Sequence, residues 1–204
     1  KKLKNSLKLK KDKMIILFVG SVIPRKGLDL LIKAYSILKK EYPNWIVRVV
    51  GDTKVDIQYK NQLDELIRKE GLEGKVIFVG RISEKKLVRE YMIADVFCLP
   101  SRAEGFSIAL IEAMYFGKAI VASNVGASEF VLDNGRAGLI FEKDNLSELI
   151  DKLKMLMKSE KLRKTLGERA HKRCIKHFNW DNIIKKLNIS ISRILNMYYN
   201  NKRS

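Results

Sequence analysis

Two carboxylates, Glu104 and Glu112, flank the seven residues Gly105-Phe106-Ser107-Ile108-Ala109-Leu110-Ile111. The first falls in a strand-to-helix loop, the second inside an otherwise apolar helix. With a helix beginning near Gly105, Glu112 lies about 80° around the axis and about 12 Å along it from Glu104. Both then face one crevice, at a spacing suited to an extended ligand rather than a single reacting bond. Because ~5–9.5 Å separates the acid and base of glycosidases, a hydrolase dyad is disfavoured. Glu112, among Ala109, Ile111, Ala113 and Met114, needs a partner. A ribose diol would supply two donors; a local backbone amide or lysine would also serve. From the helix N-terminus, the amides of Phe106, Ser107 and Ile108 would point at a diphosphate.

Two further loops qualify. In Gly20-Ser21-Val22-Ile23-Pro24-Arg25-Lys26-Gly27 a strand end meets a helix start beside adjacent cations. Free amides, the helix dipole and charge-assisted contacts favour phosphate there; a surface turn with two solvated cations fits the same residues. The run is neither a Walker loop nor Gly-x-Gly-x-x-Gly. In Ser123-Asn124-Val125-Gly126-Ala127-Ser128-Glu129, Gly126 permits close backbone approach to a ligand. Glu129 would accept from sugar hydroxyls or cap a helix turn. His171 and His177 sit about 240° apart on one helix, which excludes a shared metal, and they read as solvated. Cys98 reads as core and Cys174 as incidental in a basic helix.

These loops require strands and helices to position them. Met14–Gly20, Trp45–Gly51, Val76–Gly80, Ala94–Pro100, Ala119–Ser123 and Gly138–Phe141 read as strands, most of them compact apolar runs. Between them, helical spacing predicts Gly27–Glu41, Asp56–Glu70, Ser83–Met92 (capped by Ser83) and Ile108–Phe116. Helices Asn145–Lys158, Glu160–Phe178 and Asp181–Tyr199 follow, the last carrying an apolar stripe from Ile183 to Tyr198. Strand–helix alternation with near-continuous apolar strands predicts an α/β, doubly wound parallel sheet covered on both faces. Ligands then bind at the carboxyl ends of the strands.

With 204 residues, 46% hydrophobic and 31% charged, the chain is globular rather than disordered. Its longest apolar run, Met14–Val19, is six residues, against roughly twenty for a bilayer span. Residues 1–13 lack an apolar stretch of signal-peptide length, so no secretion is expected; two distant cysteines suit a reducing, cytoplasmic setting. The net charge of +18 sits at the ends. Residues 1–13 hold seven lysines and one aspartate, and residues 150–204 hold fifteen Lys/Arg and four Asp/Glu. Either these are solvated faces or they attract anionic lipid headgroups. No nucleic-acid reader motif accompanies them.

Taken in order, Pro24-Arg25-Lys26-Gly27, Ala94-Asp95-Val96, Pro100-Ser101-Arg102-Ala103-Glu104-Gly105-Phe106, Glu112-Ala113-Met114 with Gly117, Val121-Ala122-Ser123 and Gly126 with Glu129 carry a resemblance. They resemble glycosyltransferase family 4, and more narrowly the C-terminal, donor-binding domain of its two-domain GT-B enzymes. Phe178-Asn179-Trp180 is similar to the start of that family's closing helix. The resemblance implies a Rossmann-like half of a GT-B fold with a helical C-terminal extension. It implies transfer of a hexose-type sugar from a nucleoside-diphosphate sugar to an acceptor, with retention and without a metal or separate cofactor. On this sequence Lys26 would contact the diphosphate, with Arg25 beside it, and Glu104 the donor sugar; these three form the implied catalytic set. The Phe106, Ser107 and Ile108 amides would meet sugar and phosphates, Glu112 the ribose, and the backbone near Gly80, Arg81 and Ile82 the base. Gly20, Ser21, Gly105, Gly126 and Glu129 complete the implied donor-binding set.

Ser21 stands where many members have arginine, Ser107 where glycine is frequent, and Ala127 where a second glycine is common. The acceptor half of such enzymes precedes the donor half, so the chain is expected to be a fragment, inactive alone. On this reading 1–13 is a basic segment leading from the missing domain, 14–178 the nucleotide-sugar-binding domain, and 179–204 an amphipathic helix and tail. The expected partners are a nucleotide-sugar donor and, through the missing domain, an acceptor sugar, lipid or glycan. The setting is cytoplasmic, with peripheral contact at the inner face of an anionic membrane as a further expectation. The competing class is a non-catalytic basic α/β module that docks on such a membrane or on a protein.

Overall fold

A computed structural model describes residues 12–178. The six apolar runs form six strands: β1 Met14–Val19, β2 Trp45–Val50, β3 Val76–Gly80, β4 Val96–Leu99, β5 Ala119–Ser123 and β6 Leu139–Phe141. All pair in parallel, in the order β3-β2-β1-β4-β5-β6. Intervening helices are α1 Leu28–Leu38, α2 Ile57–Lys69, α3 Glu84–Ile93, α4 Ile108–Tyr115, α5 Ser128–Val131, α6 Leu146–Lys158 and α7 Glu160–His177. A one-turn 3-10 helix, Pro24–Lys26, precedes α1.

Continuous apolar strands follow from burial on both faces. Ile16 and Phe18 of β1 pack with Leu31 and Tyr35 of α1, Leu63 of α2 and Leu153 of α6. Ile15 and Leu17 face the other way, toward Tyr91 of α3, Leu110 and Met114 of α4, and Ala170 and Cys174 of α7. The six strands contain one charged residue, Arg48 on β2, which reaches Glu90 on α3. Successive strands run outward from β1 in both directions, so the topological switch lies between β1 and β4. The loops leaving those two strands meet there, at the position where sheets of this kind bind ligands.

Several expected boundaries shift. α1 ends at Leu38 rather than Glu41, and β4 begins at Val96 rather than Ala94. Ser83 occupies the N-cap of α3, yet its side chain makes no capping hydrogen bond. α4 begins at Ile108 as its apolar run predicts, and not near Gly105 as the Glu104–Glu112 geometry supposes, because Ser107 is extended at φ −80° and ψ 112°. Glu104 therefore lies outside the helix, and the 80° and 12 Å helical separation from Glu112 does not apply. α5 is an addition to the expected elements. Residues 1–11 of the basic segment and the expected helix Asp181–Tyr199 lie outside the described residues.

Candidate functional site

At the switch point the loops after β1 and β4 are laced together. The Arg102 amide donates to the Arg25 carbonyl at 2.8 Å. In return, the Arg25 guanidinium donates to the Ala103 carbonyl at 2.8 Å, and that of Arg102 to the Pro24 carbonyl at 2.7 Å. Gly27, at φ +66°, closes the first loop against the second; a Cβ there would lie 1.9 Å from the Pro100 carbonyl oxygen. Only glycine fits.

Within this frame the Lys26 ammonium donates to Glu104 Oε1 at 2.5 Å. Ser101 Oγ donates to the same oxygen at 2.7 Å, and Arg25 Nη1 stands 3.8 Å from Oε2. The Lys26 stem lies over Gly20, where a Cβ would be 3.6 Å from it. Ser21, half-buried, accepts the Ile23 amide on its carbonyl. Arg25, Lys26 and Glu104 are thus gathered into one charged cluster.

Two helix N-termini open beside the cluster. Neither Gly27 at α1 nor Ser107 at α4 supplies a side-chain cap, and first-turn amides have no intrahelical acceptor. At α1 the Asp29 amide donates to the Tyr59 hydroxyl at 3.1 Å and Asp29 places a carboxylate in the first turn, so it is the α4 terminus that favours an anion. Gly105 has no atom within 4 Å of where a Cβ would stand, while Phe106 and Ile108 are exposed. Gly80, at φ +77°, is equally open; Arg81 beside it is exposed and Ile82 half-buried.

Glu112 is half-buried on α4. Its partner within the protein is the Tyr91 hydroxyl, which donates to Oε2 at 2.8 Å, rather than the backbone amide or lysine weighed from residue type. Burial first, then the Glu112 charge and hydrogen bond, push the Tyr91 phenol well above its usual range. Glu112 also borders a hollow of about 460 Å³ lined by Ile108, Tyr115, Cys174 and Phe178 among others.

The third loop packs on the second. Gly126, at φ +55°, permits close approach, but to its own chain: a Cβ would lie 2.2 Å from the Glu104 carbonyl oxygen. The Ala127 amide donates to the Gly105 carbonyl at 3.0 Å. Gly126 therefore braces the Glu104 loop. Glu129 is exposed in the first turn of α5 and makes no side-chain cap.

Two groups escaped the sequence reading. Arg102 forks onto both oxygens of Asp29 at 2.8 Å and reaches Asp144 Oδ1 at 2.7 Å, while the Tyr59 hydroxyl donates to Asp29 Oδ1 at 2.7 Å. Burial works to raise the Asp29 pKa, but the Arg102 and Tyr59 hydrogen bonds hold it below the ordinary value. The second group is Tyr91. His171 is exposed with its ring on the Tyr115 carbonyl. Cys98 and Cys174 are both buried, and burial raises both thiols. The reading of Cys174 as incidental thus gives way to a core position beneath α4. Among the described residues no three His, Cys, Asp or Glu side chains form a group able to hold a metal.

Sheet order and site together define a Rossmann-like α/β domain whose charged cluster sits at the switch point. The chain belongs to the family of glycosyl transferases group 1, whose model matches residues 1–173. An uncharacterized glycosyltransferase of Haemophilus influenzae is 31% identical over 169 residues, 82% of this chain and 46% of that protein. The C-terminal domain of a glycosyl transferase group 1 family protein from Francisella tularensis superposes with a TM-score of 0.78 at 25% identity. That superposition covers 88% of this chain and 92% of that one. Anabaena HepE in complex with UDP superposes with a TM-score of 0.85 at 22% identity, covering 94% of this chain and 52% of that one. The fold is that of a Rossmann-like unit of GT-B glycosyltransferases. The chain spans about half the length of the curated relatives it matches.

Proposed function

We propose that the chain is the C-terminal, nucleotide-sugar-binding domain of a retaining, metal-independent glycosyltransferase of family 4, which moves a hexose-type sugar from a nucleoside-diphosphate donor. The observation that carries this reading is the Lys26–Glu104 pair at the switch point, beside the N-terminus of α4, which has no side-chain cap. Family membership supports the transferase class. The complex of HepE with UDP is a property of that neighbour; it supports a nucleoside diphosphate as the class of ligand to test.

On this reading the diphosphate lies between Lys26, with Arg25 beside it, and the N-terminus of α4. Glu104 meets the donor sugar, Glu112 the ribose, and the backbone at Gly80–Ile82 the base. As the bond from anomeric carbon to phosphate oxygen lengthens, charge accumulates on the diphosphate, and preorganised cations and amides stabilise it. Retention without a protein nucleophile corresponds to acceptor attack on the face from which the diphosphate departs. The acceptor, a sugar, lipid or glycan, is held by a preceding domain. The cytoplasmic setting and peripheral contact with an anionic membrane belong to the same proposal; among the described residues no helix is long and apolar enough to cross a membrane.

A thermal-shift panel of UDP-, GDP- and ADP-sugars tests the reading. One base raises the melting temperature saturably, and the shift is lost in Lys26→Ala; no shift with any member of the panel contradicts it.

A further inference from the structure

α3 enters none of the implied donor contacts except through the turn that precedes it, yet it is anchored twice beside Glu112. Arg48, 7% exposed on β2, forms a two-pronged ion pair with Glu90, 3% exposed on α3, at 2.7 and 2.6 Å. At the C-terminal end of α3, the Lys118 ammonium donates to the Met92 and Ala94 carbonyls. Between these two anchors stands Tyr91. Its ring is stacked on Phe116 with centroids 5.3 Å apart and touches Phe97, so the hydroxyl has one available direction, toward α4. There it donates to Glu112 Oε2 at 2.8 Å and lies 3.3 Å from the Ala109 carbonyl. Glu112 Oε1 accepts no hydrogen bond from the described residues.

A glutamate on an exposed helix samples many rotamers, and ordering it on ligand binding weakens the complex. A phenol that is all but fully buried, facing a carboxylate, can only donate. It therefore holds one oxygen still and leaves the other without a donor among the described residues.

We propose that Tyr91 is a positioning residue that fixes the Glu112 carboxylate for the 2′- and 3′-hydroxyls of the donor ribose, so that the site distinguishes ribonucleotides from 2′-deoxyribonucleotides. This inference rests on the reading of Glu112 as the ribose ligand. The discrimination arises because a fixed carboxylate that meets no 2′-hydroxyl loses a charge-assisted hydrogen bond. A mobile carboxylate turns away to water and loses less.

The test is calorimetric titration of the protein with UDP against 2′-deoxy-UDP and with GDP against 2′-deoxy-GDP. The wild type, Tyr91→Phe and Glu112→Ala are compared, using the base that binds. The wild type prefers the ribonucleotide about tenfold, Glu112→Ala abolishes the preference, and Tyr91→Phe cuts it to about threefold or less. Phenylalanine keeps the ring in its stack, and any general loss of stability weakens both nucleotides alike without changing their ratio. A wild-type ratio in Tyr91→Phe overturns the inference and leaves the ribose role of Glu112 standing. A wild-type protein without preference, or a preference that survives Glu112→Ala, removes that role and the inference with it.

Discussion

The Lys26 ammonium and the Glu104 carboxylate meet at 2.5 Å across 78 positions of sequence. Both side chains are largely shielded, at 15% and 8% exposure, so neither charge is fully quenched by water. The pair joins the loops after β1 and β4 at the switch point. The cation that the proposal gives to the diphosphate is thus already engaged, and on that proposal the carboxylate would compete with phosphate for it.

That competition has a measurable sign. Glu104→Gln keeps the side-chain shape and removes the charge. A nucleoside diphosphate without sugar is expected to bind Glu104→Gln severalfold more tightly, roughly 1 kcal/mol for relief of one partly screened charge. The corresponding nucleotide sugar gains less, because it loses its carboxylate contact. Titration with both ligands decides; a weaker diphosphate complex in Glu104→Gln contradicts the competition.

The Asp29–Arg102 fork ties α1 to the loop after β4, and its contribution depends on pH. Asp29 is held below its ordinary value, so in the folded state it stays ionised where the unfolded chain binds a proton. The stabilisation is complete above the unfolded value of about 3.9 and is lost as pH falls through the lower folded one. Asp29→Asn should be less stable than the wild type by about 1–2 kcal/mol near neutrality, a gap that closes below about pH 4. Urea unfolding from pH 3 to 7 measures it; a gap that widens toward acid contradicts the assignment.

The Arg48–Glu90 pair is buried on both sides, where the charges stabilise one another but cost desolvation. Glu90→Ala leaves a buried guanidinium and is expected to cost about 3–5 kcal/mol, whereas Arg48→Met with Glu90→Leu stays close to the parent. Equilibrium unfolding of the two variants compares them directly. Equal losses in both would show that the pair contributes net stability beyond its packing.

Gly126 is constrained twice, by a positive φ and by the Glu104 carbonyl. Gly126→Ala is expected to lower stability by about 1–3 kcal/mol and to weaken nucleoside diphosphate binding, because the displaced loop carries Glu104 and Gly105. Unfolding and titration of the same sample check both effects. Weakened binding without any loss of stability would point instead to direct contact between Gly126 and the ligand.

Strands were legible because double-sided burial writes itself as an unbroken apolar run: Val76–Gly80 and Ala119–Ser123 match residue for residue. The gathering of Lys26 with Glu104 was legible as well, through the rule that a doubly wound sheet collects its loops at the strand carboxyl ends. What sequence could not show depends on distances between helices. Tyr91 finds Glu112 only because α3 and α4 lie side by side on one face, and no local spacing announces that. Cys174 sits in a helix so rich in lysine and arginine that its one inward face is hard to see. The apolar run places the start of α4 at Ile108, where it is found, but the Glu104–Glu112 geometry assumes a start near Gly105, which the extended conformation of Ser107 rules out. At Gly126 the close approach is made by the Glu104 backbone, a contact between loops that no local spacing announces.

The most direct test of donor binding at the switch point is calorimetric titration of UDP, GDP and ADP into the wild type, Lys26→Ala and Glu112→Ala. One of the three nucleotides is expected to bind saturably with a single site, and each variant is expected to weaken it at least about tenfold, the loss of one charge-assisted contact. Binding that is undiminished in both variants would contradict the assignment of the diphosphate to Lys26 and of the ribose to Glu112.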